Sequence, residues 1–407
     1  AADWRCAAVS ELREGRPEAF RGFADQPAFA EAAGNIFAGV DANRARFETA
    51  GWTRYDGSLR DATLRERLHR RFPDDYQFSA TQLERYAGCR FRFFLSDVLK
   101  IEPLEPPTVA TDYRSRGILF HDVLADVHRQ LADDDTGGGI DPDVLVRRFQ
   151  EQVDRQLDRR VAATELAAAL TEVERLLFAD WSEAYAEQWA DYDRAIGEVW
   201  RDPPQPAHLE LPFGDVPGED SDRDDLNFGS LDFGGDQKRT RVRGRIDRVD
   251  VGVIEGRTVY TVVDYKTGRP PRFAEEDVRS GKAIQLVLYT LAVKRLSIVA
   301  ENAEPFQFGY WNIRETGFVP GLKGRIKPNA PLDAAVLQSL EELLEELIPW
   351  LADGIRRGDF PVDSDDDHCG TYCPYPTVCR ITQIRPLRDA LQKTRDPGPS
   401  ADLSVDG

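Results

Sequence analysis

Two neighbouring segments of the chain alternate between hydrophobic and polar residues. The first covers residues 243–250 and the second 257–263, with Gly252 and the Glu255-Gly256-Arg257 stretch between them. Alternation with a period of two is typical of β-strands, and Gly within a short polar stretch is typical of a turn. The pattern therefore predicts a β-hairpin whose second strand runs directly into Asp264.

The rest of the chain shows mainly helical periodicity. The segment 203–236 is rich in Pro, Gly and Asp, which predicts a loop or edge hairpin with one short strand at 208–213. A further strand is predicted at 305–313. Helices are predicted at 76–105 with Ser79 as N-cap, at 115–131, 142–160, 163–190, 281–297 and 331–357.

These elements suggest how the chain is organised. We expect a helical linker or docking segment over 1–75, one main domain over 76–390, and a mobile tail over 391–407. The main domain would contain a helical insertion at about 115–200, ahead of the predicted hairpin.

The hairpin would bring three charged side chains to one edge of the sheet. Asp247 lies in the first strand, and Asp264 and Lys266 lie two residues apart at the end of the second, on the same face. Hard divalent cations prefer oxygen ligands, and phosphodiester cleavage uses such a cation to polarise the phosphate and activate water. An ordinary surface ion pair between Asp264 and Lys266 is the alternative. Glu210, in the short strand, could be an outer ligand or a solvent-exposed strand residue.

Four short motifs together resemble those of the PD-(D/E)XK nuclease superfamily, in its RecB/AddB-type branch. They are Gly244-x-x-Asp247, Asp264-x-Lys266-Thr267-Gly268, Gln285-x-x-x-Tyr289 and the stretch 116–124 around His121. The resemblance implies a restriction-endonuclease-like α/β fold with a central mixed sheet flanked by helices.

The resemblance also implies roles for individual residues. His121, Asp247, Asp264 and the backbone carbonyl of Tyr265 would bind Mg²⁺ or Mn²⁺, and Lys266 would orient the attacking water. Gln285 and Tyr289 would position that lysine or the DNA backbone.

The same resemblance implies an activity and partners. The chain would be a metal-dependent DNA exonuclease in end processing, recombination and repair, working with a helicase in a preceding domain or a partner subunit. A stand-alone Cas4-like exonuclease and a non-catalytic subunit that binds DNA ends or serves as a scaffold are the alternatives.

Four cysteines flank this region: Cys89 precedes it, and Cys369, Cys373 and Cys379 follow it. Four thiolates can hold a [4Fe-4S] cluster or Zn²⁺, and ordinary unligated thiols are the third possibility. The resemblance to AddB and Cas4 nucleases favours a cluster that joins the two ends of the domain. The chain departs from that pattern in having Arg90 after the first cysteine and three residues between Cys369 and Cys373. Cys6 stands outside the pattern as a free thiol.

The net charge of −19 is unusual for a protein that contacts phosphate. Only 8 of the 53 basic residues are Lys, and acidic runs recur, which is typical of proteins from cytosols with molar salt. We therefore expect a halophilic source. An acidic DNA mimic or a protein-binding module is the competing interpretation.

Basic residues are concentrated around the first acidic motif. They could form a phosphate-facing stripe or a solvated strand face, and they are Arg239, Arg241, Arg243, Arg245 and Arg248.

No apolar run is long enough to span a membrane, no signal peptide is evident, and the odd number of cysteines suits a reducing compartment, so we expect a soluble cytoplasmic protein.

Overall fold

The predicted hairpin lies in the middle of a seven-stranded mixed sheet. The structure is a computed structural model. It describes residues 27–47, 53–103, 113–133, 140–160, 164–215, 228–235, 239–268, 272–322, 326, 329–362, 364, 366, 368–379 and 381. Cys6 and the tail predicted at 391–407 lie outside the described residues.

The sheet is built around one long strand. Its seven strands are β1 (Gln77–Ser79), β2 (Asp202–Phe213), β3 (Leu231–Phe233), β4 (Thr240–Ile254), β5 (Arg257–Lys266), β6 (Glu304–Asn312) and β7 (Gly317–Pro320). The first part of β4 pairs with β1 and β3, and its second part pairs with β2 and β5. Strand β6 runs parallel to β5, and β7 is antiparallel to β6.

The β4–β5 hairpin is confirmed. Its turn falls at Glu255 and Gly256, with φ of 51° and 77°. Positive φ at both central residues is the conformation that matches the right-handed twist of the flanking strands.

Helices cover both faces of the sheet. They are α1 (Pro27–Phe47), α2 (Ala62–Arg71), α3 (Ala80–Gly88), α4 (Arg90–Phe93), α5 (Tyr113–Asp133), α6 (Pro142–Asp158), α7 (Glu165–Gly197), α8 (Glu275–Arg279), α9 (Gln285–Arg295), α10 (Ala334–Arg357) and α11 (Cys369–Tyr372). None of the described helices is long and apolar enough to cross a membrane.

Alternate residues of β5 face two different hydrophobic cores. Tyr260 and Val262 pack in the main core with α3, α9 and α10. Val263 and Tyr265 pack in a second core with α5, α6 and α7. The predicted fold class, α/β with a central mixed sheet flanked by helices, is thus confirmed.

The prediction of one helix over 76–105 is wrong. Residues 77–79 form β1, and Ser79 then caps α3 in a capping box with Gln82. At Cys89 the backbone is extended, with φ of −162°, so α3 ends there and α4 begins, followed by a π-helical turn at Phe94–Val98. Propensity did not reveal β1, because so short a strand depends on its pairing with β4.

The prediction for 203–236 is also wrong in part. Strand β2 begins at Asp202 and covers 12 residues, although it contains Pro203, Pro204 and Pro206. Among the described strands β2 pairs only with β4, so it is an edge strand, where residues without an N–H are tolerated.

Part of the segment before residue 76 packs on the main domain. Leu68 of α2 and Phe72 are buried in the main core. The division of the chain at residue 75 stays a prediction, but α2 contributes to the same core as the sheet.

Candidate metal centre and nuclease site

Three carboxylates lie in line across three adjacent strands. The bridged pairs Leu209↔Arg248 and Leu211↔Ile246 flank Glu210 and Asp247, and Arg248↔Val263 places Asp264 at the next position of β5. Glu210, Asp247 and Asp264 therefore share one level of the sheet.

Glu210 has an unusual backbone conformation. Its φ of 50° lies in the left-handed region, which costs a residue with a side chain on the order of 1–2 kcal/mol. Strain of this kind is concentrated at functional sites, where the surrounding structure enforces it. The expectation that Glu210 is a solvent-exposed strand residue is wrong, since its side chain is only 14% exposed.

His121 of α5 lies over these carboxylates. Its Nδ1 is 3.3 Å from Asp247 Oδ2 and 3.7 Å from Glu210 Oε1. Among the described residues, His121, Glu210 and Asp247 form the one set of three whose ligand atoms all lie within 4.8 Å of one another.

The donor set fits a small divalent cation. Glu210 Oε1 is buried without a hydrogen bond, and a cation would satisfy this oxygen. Carboxylate oxygens suit Mg²⁺ and Mn²⁺, and the imidazole of His121 offers one nitrogen beside them.

The electrostatics of His121 and Asp247 support this interpretation. Burial works against the imidazolium, but the charge and hydrogen bonding of Asp247, together with Glu210 and Asp264, outweigh it and raise the pKa of His121 to about 11. Burial would raise the pKa of Asp247, but His121 and Lys266 hold it below its usual value. The imidazolium thus supplies positive charge between two carboxylates, and cation binding would displace its proton.

Asp264 and Lys266 form a buried pair rather than the surface ion pair of the alternative interpretation. The Lys266 Nζ lies 2.5 Å from Asp264 Oδ2, and Asp264 is 1% exposed. Burial raises the pKa of Asp264 to about 6, although Lys266 opposes the shift. The side chain of Lys266 stays 28% exposed, so its ammonium group can reach a phosphate from solvent.

Gln285, the first residue of α9, contacts the acid rather than the lysine, and Tyr289 one turn later contacts Gln285. Gln285 Nε2 donates to Asp264 Oδ1 at 2.8 Å and to Tyr289 Oη at 3.3 Å. Gly244 makes room for the tyrosine, because a Cβ at this position would lie 2.8 Å from ring atoms of both Tyr289 and Phe213.

Glu84 of α3 is a site residue that the sequence reasoning missed. Its Oε1 accepts the backbone N–H groups of Ile284 and Gln285, both at 2.8 Å. Burial raises its pKa to about 7, and the two N–H groups oppose the shift. The sequence does contain an indication of this role. Glu84 is a carboxylate on the hydrophobic face of α3, four residues after the buried Ala80 and one after the buried Leu83.

The predicted arginine stripe divides into two parts. Arg241, Arg243 and Arg245 share one face of β4 and are partly exposed, and Arg245 Nη1 is 3.8 Å from Glu210 Oε2. Arg248 is fully buried and pairs with Asp250, so its assignment to a phosphate-facing stripe is wrong. Arg239 pairs with Asp232.

The structure brings the four cysteines that flank the domain to one cavity. This cavity, of about 530 Å³, is lined by Cys89, Cys369, Cys373 and Cys379. Burial, with contributions from Cys379 and Cys373, raises the pKa of the Cys89 thiol to about 11. No three of these sulfurs lie within 4.8 Å of one another, whereas the sulfurs of a tetrahedral Zn site are about 3.8 Å apart for Zn–S bonds of about 2.3 Å.

Comparison with known proteins agrees with this geometry. The model of the PD-(D/E)XK nuclease superfamily matches residues 77–380, and the chain belongs to this superfamily. The matched range includes Glu84, Glu210, Asp247, Asp264 and the four cysteines that line the cavity.

Individual relatives narrow the comparison. The chain is 28% identical over 234 residues, 56% of its length, to one of the subunits of the ATP-dependent helicase/deoxyribonuclease of Symbiobacterium thermophilum. It is 26% identical over 324 residues, 77% of its length, to the protein of the same description from Desulforudis audaxviator. It is 29% identical over 241 residues, 57% of its length, to that from Lacticaseibacillus casei. The matches span 18%, 26% and 18% of these relatives, so the chain corresponds to about a fifth to a quarter of their length.

Proposed function

We propose that this chain is a divalent-metal-dependent DNA exonuclease that processes DNA ends in recombination and repair. The observation that carries the proposal is the line of Glu210, Asp247 and Asp264 across three strands, with His121 above it and Lys266 beside it. A bound cation would polarise the phosphate and lower the pKa of a coordinated water.

Each residue of the site would have a separate role in metal binding or catalysis. His121, Asp247 and Asp264, with the carbonyl of Tyr265, would hold Mg²⁺ or Mn²⁺, and Glu210 would add a further carboxylate. Lys266 would orient the attacking water and stabilise the negative charge that develops on the phosphate, because a fixed ammonium group favours the transition state over the ground state.

DNA and a helicase are the proposed partners. The relatives are described as helicase/deoxyribonuclease subunits, and the nuclease module of such an assembly would digest strands that the motor delivers. A stand-alone exonuclease has the same site without the motor. A non-catalytic end-binding subunit is disfavoured, because it would have no need for the complete set of Asp247, Asp264 and Lys266.

The test of the activity is the variant Lys266→Ala, with Lys294→Ala as the matched control. Both remove an ammonium group that pairs with a carboxylate, but Lys294 pairs with Glu341 on the outside of α9. We expect Lys266→Ala to abolish Mg²⁺-dependent digestion of linear DNA and Lys294→Ala to leave it unchanged. Digestion by Lys266→Ala at the parental rate would refute the site.

We further propose that the four cysteines bind a [4Fe-4S] cluster. The cavity that all four cysteines line supports this proposal, because four thiolates are the usual ligand set of such a cluster. Protein purified without oxygen should contain about four iron atoms per chain. Cys89→Ser should lose them, and Zn without iron would refute the cluster.

A further inference from the structure

A fully buried ion pair lies directly behind the candidate metal centre. Arg248 and Asp250 of β4 both have no exposed surface, and Arg248 Nε is 2.7 Å from Asp250 Oδ1. Arg248 Nη1 also donates to two tyrosine hydroxyls, Tyr265 Oη at 2.9 Å and Tyr185 Oη at 3.1 Å.

Aromatic rings enclose the guanidinium group. Its Cζ lies 4.9 Å from the ring centre of Trp311, 5.2 Å from that of Trp189 and 5.5 Å from that of Tyr265. His128 extends the network, because its Nε2 is 2.6 Å from Tyr185 Oη.

This arrangement is a poor way to gain stability. Removing two charges from water costs several kcal/mol for each ion, and apolar residues of similar volume often stabilise a core as well or better. The network therefore calls for a reason beyond packing, and its position indicates one.

The network connects to the metal centre through Tyr265. The backbone N–H of Tyr265 donates to Asp247 Oδ2 at 2.9 Å, and the residue lies between Asp264 and Lys266. Its ring centre is 5.8 Å from that of His121, in an edge contact. One side chain, held at its hydroxyl by Arg248, thus fixes a backbone segment that carries Asp264 and Lys266 and contacts Asp247.

We propose that Arg248 and the Tyr265 hydroxyl are positioning residues that set the affinity of the metal centre. The buried pair holds the Tyr265 side chain, and Tyr265 in turn holds Asp247 and the 264–266 backbone in the geometry of cation binding. The inference rests on the proposed function, since it concerns the same site.

The test compares two buried tyrosines on the same strand. Tyr265→Phe removes the hydroxyl that Arg248 contacts. Tyr260→Phe is the control, because Tyr260 is equally buried and its hydroxyl donates to Thr290 O at 2.9 Å, in the main core. Mn²⁺ binding is measured by the electron paramagnetic resonance of free Mn²⁺, and urea denaturation measures stability.

We expect Tyr265→Phe to weaken Mn²⁺ binding about five- to tenfold and Tyr260→Phe to change it less than twofold, at similar losses of stability. Arg248→Lys, which keeps the charge beside Asp250, should also weaken binding. In the double variant Arg248→Lys/Tyr265→Phe, the fold-loss of Mn²⁺ affinity should be smaller than the product of the two single fold-losses.

Parental Mn²⁺ affinity in Tyr265→Phe, or an equal loss in Tyr260→Phe, would overturn the positioning role while leaving the proposed function intact. A parental protein that binds no Mn²⁺ at this site would overturn the proposed function, and the positioning role with it.

Discussion

The buried carboxylate of Glu84 makes a quantitative prediction about stability and pH. Its pKa rises from the ordinary value of 4.5 to about 7. Between these values the folded chain binds more protons than the unfolded chain, so the free energy of unfolding falls as the pH rises. The full stability contribution of the neutral form is present below pH 4.5 and is lost as the pH passes 7.

The magnitude follows from the shift. At about 1.4 kcal/mol for each factor of ten in proton affinity, ionisation of Glu84 should weaken the metal-free protein by about 2–3 kcal/mol between pH 5 and pH 8. Glu84→Gln keeps an oxygen that can accept the N–H groups of Ile284 and Gln285 but cannot ionise. Relative to the parent, this variant should therefore gain about 2–3 kcal/mol over the same pH interval.

Urea denaturation in the presence of a chelator, at pH 5 and pH 8, gives the free energy of unfolding of the parent and of Glu84→Gln. Taking the difference between them removes the titration of the remaining groups to first order. Glu66→Gln, which removes an exposed carboxylate on α2, controls for the change in net charge. A stability difference between Glu84→Gln and the parent that is the same at both pH values would refute the reasoning.

Three other measurements test the remaining expectations. Gly244→Ala should destabilise the protein by about 1–3 kcal/mol in urea denaturation, because the new methyl group would meet the rings of Tyr289 and Phe213; parental stability would contradict this packing. Mn²⁺ at about 100 times its Kd should raise the free energy of unfolding of the parent by about 2.7 kcal/mol. The Asp247→Asn variant should gain much less stability from the same Mn²⁺ concentration, and an equal gain would show that the cation binds elsewhere. The acidic surface predicts that DNA cleavage is greatest at KCl concentrations on the order of molar, because salt screens repulsion in the folded chain. Circular dichroism measured alongside cleavage should show loss of structure at low KCl. An intact, fully active protein in dilute buffer would instead favour a docking face for a basic partner.

The sequence by itself determined the local elements of this protein, because these depend on patterns among neighbouring residues. The period of two around 243–263, with Gly256 in the turn, was enough to predict the hairpin, because strand alternation and turn conformation depend on neighbouring residues. The same strands place Asp247 and Asp264 side by side. The spacing of Gln285 and Tyr289 predicted a shared helical face, and their hydrogen bond agrees with it.

Only the tertiary structure decided which partners these residues meet. Glu210 lies beside His121 and Asp247 because β2 pairs with β4, and Glu210 itself has a left-handed backbone conformation there. Glu84 reaches Gln285 across 201 residues of sequence. Arg248 follows Arg245 by three residues, out of step with the spacing of two at Arg241 and Arg243, and the structure buries it in the second core, where Asp250 and the tyrosines satisfy it. Such contacts depend on which surfaces are buried against each other, and a run of adjacent residues in the sequence does not contain that information.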